Sequence, residues 1–541
     1  MFTLDTYHII ALLIALLFVS VLLLSYLGYG RDTQGFLKFL VLFPFILTTV
    51  SIFIPFDIIF YLNYVFVILG IFLGCKKVNR LKLSLKWSGL DKIEKFLLVI
   101  VLIQLISTFM GATVLHGEGA VIDAMTYHVG AAKEWALHMS GPHLNTNNPE
   151  SFTASYYEYF QYSVMLLFRP LFITLKDIEK THYEFLAYTL LLSAQIFTTL
   201  FATVFIPMLI RQIYKIDLKF VLIMILLLLG MKNMTWIWRT AKNDAYPLFC
   251  ALLSYSIIIE SRVKNNWKSI FLAFFVLGIG IGAKFTNVYP MLFILLYFFV
   301  KEYKSFEKRY LMKAIIVAGI AGICGLLPIL LRNYLETGNP MYPTSSSLFP
   351  NVYLSDKTEL FHHLYSHATT WFYAKKKLLT LFTANPYMIV LVIGLVFYRK
   401  YIEIIFLAVF LIFISKITGE RFMWRQMSLL LFFVIIMSKN IFDELRKRKI
   451  LKYKYSYLIL SILVITLAQF KPERIVKYPL RNYFVTIASA MPNQYYAWNE
   501  LLEENLITIG VNGASTNHSA YFSRLPALIL SESREEYRYK Y

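Results

Sequence analysis

Charged side chains are scarce in this chain. Asp, Glu, Lys and Arg make up only 16% of its 541 residues, while hydrophobic residues make up 58%. A soluble fold of that length has too much surface to be covered by so little charge, which excludes a water-soluble globular class. Cysteine is rarer still. Cys75, Cys250 and Cys324 all lie in or beside apolar segments, leaving no disulfide framework and no zinc-binding spacing. The first apolar run, Ile9 to Leu27, has neither a basic leader nor a small-residue cleavage site, so it reads as a retained helix. Acidic residues are the scarcer half of the charge, 32 against 53 basic ones, for a formal net charge of +21.

What the chain has instead is long hydrophobic runs, many of the length an α-helix needs to cross a hydrocarbon core of roughly 30 Å. Spans are expected near 8–28, 37–54, 56–74, 96–113, 183–209, 218–237, 245–260, 269–283, 285–300, 312–330, 381–398, 402–416, 424–439 and 455–470. The fold class is therefore an all-α polytopic membrane protein with about fourteen transmembrane helices. The basic excess is not a nucleic-acid signal, because it sits in short loops between spans. Lys76, Lys77, Arg80, Lys82, Lys86, Lys92 and Lys95 fill one such loop, and Arg446 to Lys454 another. That placement is what cytoplasmic turns show and suits contact with anionic membrane lipids.

With the basic loops inside, three regions face the other side: 114–182, 332–378 and the tail 471–541. Residues 114–160 carry Glu118, Asp123, Glu134, Glu150 and Glu158 against Lys133 alone, a reversal of charge that supports the same orientation. The stretch from Tyr156 to Leu175 suits an amphipathic helix lying at the interface. The tail, with a helical WNELLEEN and a strand-like LITIGV, reads as a small extramembrane cap. Three segments follow: 1–95, an N-terminal three-span extension with a basic cytoplasmic loop; 96–470, the main transmembrane module; and 471–541, the external C-terminal region.

Residues able to do chemistry gather on the external side. In DAMTYHVGAAKEW, Asp123 and Tyr127 share one helical face and His128 follows. Asp123 also suits an N-cap for the helix after it, and both readings stand. In WIWRTAKNDAYPLF, Asp244 lies between an outgoing and a returning span, with Arg239 and Lys242 beside it; it too reads as a cap or as a site carboxylate. Arg332 ends a span before the turned loop GNPMYP, which contains Tyr342, and GERFMWRQ places Arg421 and Arg425 at another helix mouth. Lys284 in GAKFTN is comparably placed. External cations run against the positive-inside bias. One alone reads as a snorkelling anchor, whereas several together suit the phosphate of a lipid. Tyr156, Tyr157, Tyr159 and Trp371 fit either an aromatic belt or a sugar-stacking surface.

External carboxylates with external phosphate-binding cations fit glycosyl transfer. One aspartate takes the proton of an acceptor hydroxyl, and Arg or Lys stabilises a departing lipid phosphate. At these residues the sequence resembles the GT-C superfamily of polytopic glycosyltransferases, in particular the protein mannosyltransferase and lipid A aminoarabinose transferase type. The resemblance rests on Asp123, Tyr127, His128 and Ala132 in DAMTYHVGAA, on Asp244 in AKNDAYP, and on GIGAKFTN, GNPMYP and GERFMW, over residues 96–430. It implies Asp123 as catalytic base, a polyprenyl-phosphate sugar as donor, inversion at the sugar, and an active site facing the outside of a prokaryotic (inner) membrane. Tyr127, His128, Arg239 and Tyr342 are expected to position substrate, and Lys242, Lys284, Arg332, Arg421 and Arg425 to hold the donor phosphate. The acceptor is a hydroxyl on a protein, a lipid or a glycan. Many relatives carry Asp-Glu at the first site, whereas Ala124 follows Asp123 here, so a divalent metal is not favoured. Two alternatives stay open. A lipid-linked glycan ligase or polymerase would use His362, His363 and His367 with Arg332, and a lipid-linked glycan transporter would line a midplane pathway with charge.

Overall fold

The computed structural model describes residues 4–30, 33–78, 89–113, 156–176, 192–214, 217–230, 245–260, 266–285 and 308–342. It also describes shorter pieces at 129, 132, 189, 243, 348–349, 444–445, 447–449, 508–510 and 527–529. Helices α1 (Leu4–Tyr29), α2 (Thr33–Phe53) and α3 (Phe56–Val78) come first, followed by α4 (Lys92–Thr113) and α5 (Tyr156–Lys176). Next are α6 (192–214), α7 (Leu218–Gly230), α8 (Ala245–Glu260), α9 (Trp267–Ala283) and α10 (Lys308–Thr337). Among the described residues five helices are long and apolar enough to cross a membrane: α1, α2, α3, α6 and α10. Together with the composition, these make the chain an integral membrane protein. The spans expected at 285–300, 381–398, 402–416, 424–439 and 455–470 lie outside the described residues.

Local signals set the helix ends. Asp91 and Glu94 form a reciprocal cap at the start of α4. Asp91 Oδ1 accepts from the amides of Ile93 and Glu94, each at 2.9 Å, and Glu94 Oε2 accepts from the Asp91 amide at 3.0 Å. Asn266 caps α9 by accepting from the Ser269 amide at 3.3 Å. At the far end of α10, Gly338 takes φ +70° and its amide donates to Tyr334 O at 2.8 Å, a left-handed stop that glycine adopts without strain. The helix therefore runs to Thr337, two turns past the end expected near 330. Arg332 lies within the last two turns of that helix.

One apolar core includes side chains from α1 through α10. Helices α9 and α10 pack closely and in the same direction, with Gly278 against Gly322 and, one turn along both helices, Gly282 against Leu326. A Cβ at Gly278 would stand 2.1 Å from the Gly322 carbonyl oxygen, so only a small-residue seam permits this approach. Helix α6 is continuous except for a π turn at Phe201–Phe205. Its Ser193, Thr198, Thr199 and Thr203 hydroxyls each donate to the carbonyl four residues back, which satisfies them inside apolar surroundings.

Helix α5 departs from its expected place. Every residue from Tyr156 to Ser163 is buried, and α5 packs against α1, α2, α3 and α9. Its N-terminal end is interior to the bundle. The reason is its polar face, which finds partners inside the bundle. Ser163 Oγ donates to Asn63 Oδ1 of α3 at 2.6 Å, and the Tyr64 hydroxyl donates to Leu166 O at 2.8 Å. The described membrane bundle is all-helical. In the C-terminal region β1 (Thr508–Gly510), within the strand-like LITIGV, pairs in parallel with β2 (Ala527–Ile529), Thr508 opposite Ala527.

Candidate functional site

Near the C-terminal ends of α9 and α10, polar side chains from several segments meet at the start of α5. Tyr156 stands against Gly282, where a Cβ would approach its ring to 2.6 Å, and its hydroxyl donates to Gly325 O of α10 at 2.6 Å. One turn further along α5, the Tyr159 hydroxyl lies 3.3 Å from Ser51 Oγ of α2 and accepts a hydrogen bond from Arg332. Arg332 is buried, and its Nε and Nη2 donate to Asn333 Oδ1 at 3.2 and 2.8 Å. Glu336, four residues on from Arg332, lies near enough to Tyr159 to act on it electrostatically. A guanidinium out of water costs several kcal/mol unless its N–H groups are satisfied. The surrounding hydroxyl and amide oxygens meet part of that need.

The turn after α10 is held by its own side chains. Thr337 Oγ1 donates to Asn333 O at 2.7 Å and accepts from the Asn339 amide at 3.0 Å. Asn339 Oδ1 accepts from the Met341 amide at 2.9 Å, and Asn339 Nδ2 donates to Phe349 O at 3.3 Å. Asn and Thr form such side-chain turns readily because a short polar group reaches the backbone two residues away. The GNPMYP loop is therefore fixed relative to Arg332.

A second junction joins two segments that the sequence reading singled out. Asn243, next to Asp244, is buried and donates from Nδ2 to Ala283 O at 2.7 Å, one residue before Lys284. Lys284 is partly exposed and closes α9, its amide donating to Ile281 O at 3.0 Å.

Among the sequence-predicted site residues, Lys284, Arg332 and Tyr342 are described. Arg332 lies in the buried network. Lys284 follows two residues after Gly282, which abuts Tyr156. Tyr342 is fully buried in the capped turn, its amide donating to Asn339 O at 3.2 Å. Asp123, Tyr127, His128, Arg239, Lys242, Asp244, Arg421 and Arg425 lie outside the described residues, as do His362, His363, His367 and Trp371. Within DAMTYHVGAA, Val129 and Ala132 are helical and buried.

Tyr156, Tyr157 and Tyr159 are not sugar-stacking platforms. Each is buried, and the Tyr157 hydroxyl is bonded to Thr198 of α6. Their hydroxyls face interior partners, and that is what draws the rings inward. Ser51, Asn243 and Asn333 are the members that the sequence reading missed. Isolated amides and hydroxyls in apolar runs were the available signal, since a polar group buried at membrane depth needs a partner.

No family model matches the chain and no curated protein does. One solved structure that is similar is ArnT from Cupriavidus metallidurans bound to undecaprenyl phosphate. It is 10% identical, with a TM-score of 0.48, over 80% of this chain and 84% of that chain.

Proposed function

We propose that the chain is a membrane glycosyltransferase that moves a sugar from a polyprenyl-phosphate donor to an acceptor hydroxyl on the extracytoplasmic face. The observation that carries this reading is the buried Arg332 near the C-terminal end of α10, whose guanidinium donates to Asn333 and Tyr159 side chains. A guanidinium in that setting keeps its charge and presents a planar donor fork, the arrangement suited to a phosphoryl oxygen.

In the proposed step the acceptor hydroxyl attacks the anomeric carbon while Asp123 takes its proton. The bond from that carbon to the phosphate oxygen breaks with inversion, and the electron pair leaves on the lipid phosphate. Arg332 and Lys284, with Lys242, Arg421 and Arg425, stabilise that developing charge. Asp244 is the second carboxylate of the site, with Tyr127, His128, Arg239 and Tyr342 positioning substrate. A phosphate monoester departs without protonation, so the scheme requires one base and no strong acid.

The test is transfer of labelled sugar from a polyprenyl-phosphate donor by purified wild-type and D123N protein. D123N is expected to lose about a hundredfold or more in turnover, the scale of a missing general base, while still binding the donor. Equal turnover in both would remove Asp123 from the mechanism. Wild-type protein that turns over no monophosphate donor would overturn the reading in favour of a ligase or a transporter.

A further inference from the structure

The hydrogen bonds around Arg332 continue beyond α10 into the N-terminal helices. Arg332 can only donate. At the other end, Ser51 Oγ donates its one proton to the carbonyl of Thr48 on α2 at 2.7 Å. The same proton is shared with the Tyr159 hydroxyl oxygen, at 3.3 Å. Tyr159 accepts from Ser51 and from Arg332. The Tyr159 oxygen thereby joins Arg332 of α10 to Ser51 of α2. All four residues are buried, Tyr159 and Thr48 fully, so water does not compete for these bonds.

We infer that Tyr159 and Ser51 are positioning residues for Arg332, and that α2 of the N-terminal three-helix segment thereby forms part of the donor site. The inference rests on the reading of Arg332 as a ligand for the donor phosphate. Tyr159 fixes the azimuth of the guanidinium about its helix, Asn333 fixes it from the other side through Nε and Nη2, and Ser51 holds the Tyr159 hydroxyl in the accepting orientation. An arginine with several rotatable bonds otherwise has to be ordered by the ligand itself, which weakens binding. Neither Tyr159 nor Ser51 needs to touch the sugar or the phosphate. Their effect is therefore expected in donor affinity more than in the chemical step.

The experiment measures binding of a long-chain polyprenyl phosphate, and of the matching polyprenol, to full-length protein in lipid nanodiscs. Steady-state kinetics are taken on the same preparations of wild type, Tyr159→Phe, Ser51→Ala, Ser51→Thr and the Phe/Ala double variant. Tyr159→Phe is expected to weaken polyprenyl-phosphate binding and raise donor KM by about tenfold, with kcat changed much less, because uniform binding is what is lost. Ser51→Ala should act in the same direction by about threefold, and the double variant should be no worse than Tyr159→Phe, since both cut one chain. Ser51→Thr retains the hydroxyl and should restore wild-type binding, and polyprenol binding should be equal in all five. Variants that bind polyprenyl phosphate as wild type does would overturn the positioning role while leaving the glycosyltransferase reading intact. Equal losses for the phosphate and the alcohol would overturn it as well, by showing general disruption. Wild-type protein that does not distinguish the two lipids would overturn the functional reading and this inference with it.

Discussion

Lys77 and Arg332 are both cations at the end of a hydrophobic helix, and their partners differ in kind. Lys77 Nζ donates to the backbone carbonyls of Gly28 and Gly30, the latter at 2.5 Å. Arg332 donates to side chains, Asn333 Oδ1 and the Tyr159 hydroxyl. Carbonyls at the C-terminus of a helix lack intrahelical donors and carry the negative end of the dipole, so Lys77 completes α1. Those carbonyls cannot turn away without unwinding the chain. Side-chain partners can rotate, so a guanidinium held by them can accept an incoming anion without breaking a helix. Of two cations that look alike in sequence, one completes a helix end and the other, under the proposed function, serves the donor site.

The largest effect expected from breaking this comparison is at Arg332. Arg332→Lys keeps the charge and loses the planar fork, and kcat/KM for a polyprenyl-phosphate donor should fall by about tenfold to a hundredfold. Lys77→Met should leave the turnover of folded protein unchanged and lower resistance to unfolding by about 1 kcal/mol, the scale of a cation on a helix C-terminus. Denaturant titration and donor kinetics on both variants decide the matter. Lost turnover in folded Lys77→Met, or unaltered kinetics in Arg332→Lys, would dissolve the distinction.

The seam of α9 and α10 sharpens the same contrast between structure and site. Gly278→Ala sets a methyl group against the Gly322 carbonyl, and Gly282→Ala sets one against the Tyr156 ring. Each should cost about 1–3 kcal/mol as an overpacked contact. They should part in function: Gly282→Ala displaces the tyrosine beside the Arg332 network and should also raise donor KM, whereas Gly278→Ala should alter stability alone. A Cβ at Gly319 meets nothing within 4 Å, so Gly319→Ala should be neutral or stabilise by up to about 1 kcal/mol, the helix-propensity difference. Thermal unfolding of the three variants in one detergent orders them.

These contrasts show which parts of the fold were legible in the sequence. The spans at α1, α2, α3, α6 and α10 stand in the apolar runs, because at membrane depth a helix must satisfy its own backbone and the required length follows from the bilayer. The end of α10 was misplaced by two turns because Arg332, Asn333 and Glu336 look like loop residues by polarity. Only the capped turn at Gly338 shows that the helix continues. The interior position of α5 was illegible for a related reason. YYEYFQYS has the polarity of a surface segment, and its burial depends on Asn63, Ser51, Thr198 and Arg332, which lie far away in the chain. Arg332 itself stood out because an external arginine defies the positive-inside bias. Ser51 and Asn333 did not, since a lone hydroxyl or amide gives no sign of which helix it will meet.

The smallest expected effect concerns the other end of the bundle, where the charges are solvated. Asp91 pairs with Lys219 near the start of α7, and the Asp91 side chain is 48% exposed. Partial burial opposes its ionisation, but Lys219 and the amides of Glu94 and Ile93 outweigh that and hold the carboxyl below the usual aspartate range. A lowered carboxyl pKa in the folded state means that the stabilisation is fully present above the unfolded value, about 4, and is lost as pH falls through the folded value. Asp91→Asn retains a good N-cap and removes only the charge. It should therefore destabilise by less than about 1 kcal/mol near neutral pH, since exposed pairs are well screened. The gap from wild type should close below about pH 4 and shrink in high salt. A gap that stays constant through the acid range would show that Asp91 acts as a cap alone, and that the contact with Lys219 contributes nothing to joining α4 and α7.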